Sequence, residues 1–365
     1  MEVVILIVVL VVLILVHELG HFIAAKLAGI RVDEFGIGYP PRALTLFKAG
    51  ETEYTLNWIP FGGFVRIFGE DGEAHSTDKR AFSNKNRFVQ AIVLVSGIAM
   101  NLLLAWLLIS GSLALGTPRA LDPGEVAGAK DATLTVSDIL PGSPADAAGL
   151  MVGDTIQKVI KGADTFYTPD PQAFTAFVAA DTNGTPITFD LVRNGQEVLT
   201  SAVPKAGTIA SDPSRLAVGV GVAVVGTVPV SPLRALTLGA TYTWAIVTET
   251  ASGLVHFFKG FVTFSADLSQ VSGPVGIAGA VGSAAKSGIA ALISLTAIIS
   301  VNLALINLIP VPALDGGRLL FVIIEAITRR KIPTKVASKV NLVGFAFLIL
   351  LMVVVTGHDI WKLFV

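Results

Sequence analysis

Residues 3–29 read VVILIVVLVVLILVHELGHFIAAKLAG, and the fold class turns on them. Fourteen apolar residues, Val3 to Val16, precede the first polar side chain, and apolar character resumes after His21 as far as Ala28. At about 1.5 Å of rise per residue, such a segment crosses the roughly 30 Å hydrocarbon core of a bilayer as one helix. Acidic Glu2 stands where an export signal would have a basic start, so the segment reads as a retained span. Three further segments approach the same length: 89–115, 289–309 with an interrupted continuation to 327, and a slightly short 340–356. With 53% hydrophobic and 15% charged residues, the 365-residue chain reads as a polytopic α-helical membrane protein. Nothing marks nucleic-acid binding. The absence of cysteine removes disulfides, thiolate metal sites and thiol nucleophiles.

Charge sets an orientation. Nine Lys or Arg lie from Lys26 to Arg87, and Arg329, Arg330, Lys331, Lys335 and Lys339 follow the third span, whereas the stretch before the first span has none. The positive-inside rule then places 28–88 and 328–339 in the cytoplasm, with both termini and 117–288 outside. On this reading the chain divides into a first membrane half (1–116), an inserted domain (117–205), an extracytoplasmic linker (206–288) and a second membrane half (289–365). Within the linker, Leu236, Trp244, Ile246, Leu254 and Phe257 interleave with Arg234, Glu249, His256 and Lys259. That pattern over 232–262 predicts an interfacial amphipathic helix and not a fifth span.

In the inserted domain, TLTVSDIL, TPITFDLV and EVLTSAVP alternate apolar and polar residues between 133 and 204. Turn pairs Pro141-Gly142 and Asn194-Gly195 punctuate them, which predicts a small β-rich module. The run SPADAAGLMVGDTIQKV (143–159) resembles the signature of bacterial PDZ domains, in which a peptide adds as a strand beside a short helix.

His17 and His21 are four residues apart, about 40° around a helix and one turn along it, so both imidazoles share one side. This spacing suits two zinc ligands. Glu18, one position along, can reach water at such a site without being a ligand, the H-E-x-x-H arrangement of zinc peptidases. An ionisable residue at the centre of a span costs about 2.5–3.5 kcal/mol, and a dication among these three residues offsets it. Polar packing across a helix bundle is the plainer alternative. Two histidines leave a catalytic zinc one protein ligand short. Ala24 and Leu27 exclude the metzincin continuation, and Glu34 and Glu51 lie in the basic loop with no pattern holding them at membrane depth. Asp315 is the better candidate: in INLIPVPALDGGRLL it follows Pro310 and Pro312 and precedes Gly316-Gly317, where an apolar span is broken. Broken helices are tolerated at membrane depth where they line a cavity. Asp315 then either completes a His-His-Asp set or caps a helix over 316–327.

HELGH, NLIPVPALDGG and the PDZ-like module together resemble the site-2 protease family of intramembrane zinc metalloproteases, of the bacterial regulator-of-sigma-E type. IPFGGFVRIFGED (59–71) and SGPVGI (272–277) extend the resemblance over nearly the whole length, while SGIAMN (96–101) carries Ile98 where the family commonly has Pro. The resemblance implies an endopeptidase of the bacterial inner (plasma) membrane that hydrolyses single-span membrane proteins, such as anti-sigma factors or remnant signal peptides. One zinc ion would be held by His17, His21 and Asp315, with Glu18 as general base. It makes residues 53–71 a membrane-dipping β-loop in which the edge around Gly62, Gly63 and Phe64 pairs with unwound substrate; the alternative is an ordinary cytoplasmic hairpin. It also implies that Asn307 contacts the substrate backbone, whereas Asn302 and Asn101 can equally bridge helices. The PDZ-like module and helix 232–262 are expected over the entrance as a size filter, with a groove open to a peptide. A metal or proton transporter built on the same His/Asp site is the runner-up. A carrier, however, needs neither Glu18 beside the ligands nor a peptide-binding module.

Overall fold

A computed structural model of the protein describes residues 2–70, 78–180, 184–193, 195–209, 212–263 and 273–362. Asp71, the last residue of the expected β-loop, lies outside the described residues. In chain order the elements begin with helix α1 (Glu2–Leu27), strands β1 (Val32–Ala49) and β2 (Thr52–Ile67) and helix α2 (Arg87–Ala114). Strands β3 (Arg119–Ala120) and β4 (Lys130–Ile139), helix α3 (Pro144–Ala147), strands β5 (Thr155–Lys161) and β6 (Asp164–Phe166) and helix α4 (Pro171–Ala179) follow. After strands β7 (Ile187–Arg193), β8 (Gln196–Ala202) and β9 (Val220–Thr227), the chain is helical: α5 (Pro232–Val262), α6 (Pro274–Ser287), α7 (Ile289–Leu308), α8 (Asp315–Thr328) and α9 (Thr334–Lys362). Two compact units result, Met1–Ser112 with Pro232–Val365, and Leu113–Ser231.

In the first unit, four helices are long and apolar enough to cross a membrane: Val3–Leu27, Arg87–Ala114, Ile289–Leu308 and Thr334–Trp361. Helix α1 stops at Gly29, whose φ of +62° is a left-handed conformation that favours glycine. The chain then enters a β-hairpin larger than the expected 53–71 loop. Both of its strands bend, so that residues 34–37 of β1 pair with 63–66 on one side and 53–56 on the other, while 42–49 pair with 52–57. Segment 63–67 is left as an outer edge of this sheet. The sequence concealed β1 because VDEFGIGYPPRALTLFKA has two prolines at its bend and a carboxylate inside. Glu34 is 3% exposed, accepts hydrogen bonds from Arg42 (2.9 Å) and Thr55 (2.8 Å), and has Arg66 at 2.9 Å. Those ion pairs also explain why Glu34 is no metal ligand.

Helix α5 has the expected bounds, but its contacts run along the flank of α2 and α7 instead of across their ends. Trp106 donates to the Leu236 carbonyl (2.9 Å), Gly239 lies against Ser110, and Thr250 donates to Asn302 (3.2 Å). Ser300 donates to the Asn101 carbonyl (2.8 Å), which puts this part of α7 at the middle of α2. From Gly239 to Thr250 the helix therefore descends about 16 Å beside its neighbours. Arg234, Glu249, His256 and Lys259 stay exposed, while Thr250 is the polar contact to α7, where Asn302 bridges helices.

The second unit is built on a seven-stranded sheet in the order β3-β9-β4-β5-β7-β8, with β6 paired to β5. Phe189, Ile187, Leu191, Val159 and Val136 are at most 1% exposed and form its core with Phe174 of α4. Strand β9 pairs with β4 from Thr227 opposite Lys130 to Val220 opposite Ile139, so residues assigned by sequence to the linker belong to the sheet. Its VGVAVVGT lacks the apolar-polar alternation that revealed the other strands.

One ion pair ties this sheet to its turns. Arg193 grips Asp154 through two bonds of 2.7 Å and reaches the Gly149 carbonyl (2.8 Å), while the Met151 amide donates to Asp154 (2.8 Å). Burial opposes the Asp154 charge, but the Arg193 guanidinium and the Met151 amide outweigh it and hold the carboxyl below its ordinary pKa. The stabilisation is thus present above the unfolded carboxylate pKa of about 3.9 and fades as pH falls toward the lower native value. Asp154→Ala is expected to cost about 3 kcal/mol by leaving the guanidinium unpaired. Faster hydrogen exchange in β5 and β7 of the full chain at neutral pH would register the loss, and wild type should approach the variant only in acid.

Candidate metal centre

The site is assembled from two helices. Helix α1 brings His17 and His21 to one side, one turn apart, and α8 opens on Asp315 immediately after the proline-broken segment. Asp315 Oδ2 lies 2.9 Å from His17 Nε2 and 3.1 Å from His21 Nε2, and the two imidazole nitrogens are 3.1 Å apart. His17 and His21 are 6% and 7% exposed. Asp315 does not cap its helix: Leu314 holds the N-cap position without a side-chain bond, and the Asp315 carboxylate turns to the histidines.

Backbone proximity makes this convergence possible. A Cβ on Gly97 of α2 would collide with His21 Nε2 and lie 2.8 Å from His17 Nε2, so the donor atoms occupy space that only a glycine leaves open. Gly20 likewise lets α1 rest against the Ser96 backbone, the small-residue packing that brings membrane helices close. At the other wall, Gly316 and Gly317 fold against the carbonyls of Leu308, Ile309 and Val311, which fixes the first turn of α8 beside the end of α7.

The donor set fits a metal ion. Bonds of about 2.0–2.1 Å in tetrahedral geometry separate two ligands by about 3.3 Å, a few tenths of an ångström from the spacings here. His21 Nδ1 donates to the Val93 carbonyl (2.8 Å), which leaves Nε2 as the lone-pair nitrogen, the outer-shell arrangement usual for metal-binding histidines. The Asn101 carboxamide lies 3.3 Å from His17 Nδ1 and steadies the other ring. These three residues form a group able to hold one ion.

Glu18 is half-buried on the next position of α1. The hairpin edge comes to it: a Cβ on Gly63 would lie 3.9 Å from Glu18 Cγ and 3.1 Å from Leu15. Gly62, with φ of +87°, turns the strand over Ile14, and the Phe64 ring covers Gly36. Asn307 is half-buried in the last turn of α7, and His256 on α5 donates to the Ser252 carbonyl (2.8 Å), away from this cluster. The family model described as peptidase family M50 matches residues 5–351. The chain belongs to this family, that of the site-2 proteases. Among M50-like relatives, a Clostridium perfringens protein whose name assigns it provisionally to the zinc metalloproteases is 37% identical over 349 residues, 95% of each chain. A Synechocystis protein with the same kind of name is 34% identical over 357 residues, covering 96% of this chain and 92% of its own. Zinc metalloprotease RasP of Geobacillus kaustophilus is 29% identical over 429 residues, 96% of each chain. Sequence reasoning missed Gly97 and Gly20; the only signal was the pair of small residues Ser96-Gly97 inside an apolar span.

Proposed function

We propose that this M50 peptidase is a zinc-dependent intramembrane endopeptidase that cuts single-span membrane proteins. The observation that carries the reading is the convergence of His17, His21 and Asp315 on one point, with Glu18 alongside, on helices able to cross a membrane. Zinc is the ion named for the relatives and suits a two-imidazole, one-carboxylate donor set. When bound there, it supplies Lewis acidity that brings the pKa of water from near 15.7 to about 7.

The remaining work falls to the chain. Val93 and Asn101 hold the imidazoles in orientation. Glu18 takes the proton from attacking water and returns it to the amide nitrogen as that nitrogen leaves, the double duty of a general base and acid. A helical substrate hides its carbonyls in i to i−4 bonds and must be unwound before attack. Edge 63–67 runs past Glu18 and offers the backbone groups with which an extended substrate can pair, so Gly62, Gly63 and Phe64 serve as a substrate-binding edge. Asn307 is the proposed contact for the substrate backbone from α7.

The chain is proposed to lie in a bacterial inner membrane with the β-rich unit outside, acting on anti-sigma factors or remnant signal peptides. That unit is read as PDZ-like: a cavity of about 310 Å³ runs between α4 (Phe174, Val178) and the start of β9 (Val220, Gly221), where β9 is not covered by β3. A metal or proton carrier is disfavoured, because Glu18 and the substrate edge beside it have no role in transport.

Glu18→Gln tests the reading. The purified variant is expected to keep one zinc per chain while cleavage of a membrane-embedded peptide falls about 10²–10⁴-fold. Unchanged cleavage would remove Glu18 as the base. Metal flux without proteolysis in the wild type would favour the carrier.

A further inference from the structure

At the basic end of the membrane unit, a cavity of about 650 Å³ lies between α2, α8 and α9. Each helix turns one stripe toward it: Gln90 and Leu94 from α2, Phe321 and Val322 from α8, Leu342 and Phe345 from α9. The cavity is a wedge. Near the metal centre it is closed where Gly344 packs on Pro312 and Asn341 accepts from the Ala313 amide (3.4 Å). Away from that point α8 and α9, joined by residues 329–333, line the cavity from separate walls. Leu342 and Phe345, 68% and 55% exposed, remain along the opening.

The charges around the wedge are unequal. Arg87 pairs with Glu325 (2.7 Å) and Arg318 with Glu70, so both carboxylates of the lining are neutralised. Lys331 lines the cavity and pairs with no acid among the described residues. Arg329, Arg330, Lys335 and Lys339 flank it, and no acidic residue occurs between Glu325 and Asp359. An apolar crevice beneath an uncompensated cationic mouth fits an amphiphile with an anionic head.

We propose that this wedge binds an anionic glycerophospholipid, with one acyl chain against Phe321, Leu342 and Phe345 and the phosphate at Lys331. A crevice open sideways in a bilayer is filled by lipid chains, and basic pockets between membrane helices select acidic headgroups. Size argues against a substrate helix. About 20 Å of helix, roughly 10 Å across, occupies on the order of 1,500 Å³, more than twice the space here. The lipid would wedge α9 against the broken segment that carries Asp315, outside the donor set itself.

The test uses the full chain carrying Phe345→Trp, reconstituted in phosphatidylcholine vesicles doped with brominated phosphatidylglycerol or, separately, brominated phosphatidylcholine. The fluorescence difference from wild type isolates the new indole. Brominated phosphatidylglycerol is expected to quench it several-fold more strongly at equal mole fraction. Lys331→Gln should weaken that preference about fivefold, and Lys331→Arg should retain it. Unchanged zinc content in each variant shows that the fold is intact. Equal quenching by the two lipids, a preference indifferent to Lys331→Gln, or no quenching by either would each overturn the proposal.

Discussion

Gly97→Ala is expected to strip zinc from the protein and bring peptide cleavage to background. The added methyl would meet His21 Nε2 inside contact distance and stand 2.8 Å from both Nε2 and Cε1 of His17. Neither ring has room to yield. His21 is anchored through Nδ1 to Val93, and α1 is held against α2 because the Gly20 position faces the Ser96 backbone and Met100. Metal–ligand distances tolerate about 0.2 Å, and this collision demands several times that. If a zinc site of about 10–16 kcal/mol is shared among four ligands, displacing both donors costs at least 10³-fold in affinity. The same substitution raises intrinsic helix propensity in α2 by about 1 kcal/mol, so loss of metal would not reflect a weakened helix. Metal analysis of the purified variant beside its thermal unfolding separates the two effects. Stoichiometric zinc with normal cleavage would show that the donors do not meet where the structure places them.

Much of this site can be read from the chain because metal chemistry needs particular residue types at particular spacings. His17, Glu18 and His21 announce themselves by position on one helix, and Asp315 by the Pro310, Pro312 and Gly316-Gly317 punctuation around it. What the sequence hid were features whose signal is spatial. Gly97 is one of 36 glycines, and only the approach of α1 gives it meaning. Glu34 looks like a loop carboxylate until Arg42, Arg66 and Thr55 close round it, and residues 32–49 become a strand only through pairing with β2, whose partners the sequence does not announce. Helix α5 shows the same limit. Its amphipathic pattern says which residues share a face, but a helix lying across the ends of α2 and α7 and one lying along their flank can carry the same pattern, and periodicity does not distinguish them. Strand β9 was missed because a run of Val, Gly and Ala has no apolar-polar alternation to detect.

Asp315 is where the two readings of the break, ligand or helix cap, predict different numbers. If the carboxylate served only as a cap, Asp315→Asn would leave zinc in place, since Asn caps as well as Asp, and stability would change by no more than about 1 kcal/mol. As a ligand, the carboxylate supplies the only negative charge among the three donors. Its loss should weaken zinc binding about 10²–10³-fold, roughly a quarter of the binding free energy, and reduce cleavage in proportion. Gly317→Ala adds a test of position that leaves the charge untouched. Its methyl would lie 2.7 Å from the Val311 carbonyl carbon and 2.9 Å from Pro312 Cα, both backbone atoms that cannot rotate aside, so the first turn of α8 must move and carry Asp315 with it. Zinc titrations on the two variants should therefore show losses of similar size from different causes, one of charge and one of placement. Full zinc affinity in Asp315→Asn would remove this residue from the donor set and leave the histidine pair seeking its third ligand elsewhere in the chain.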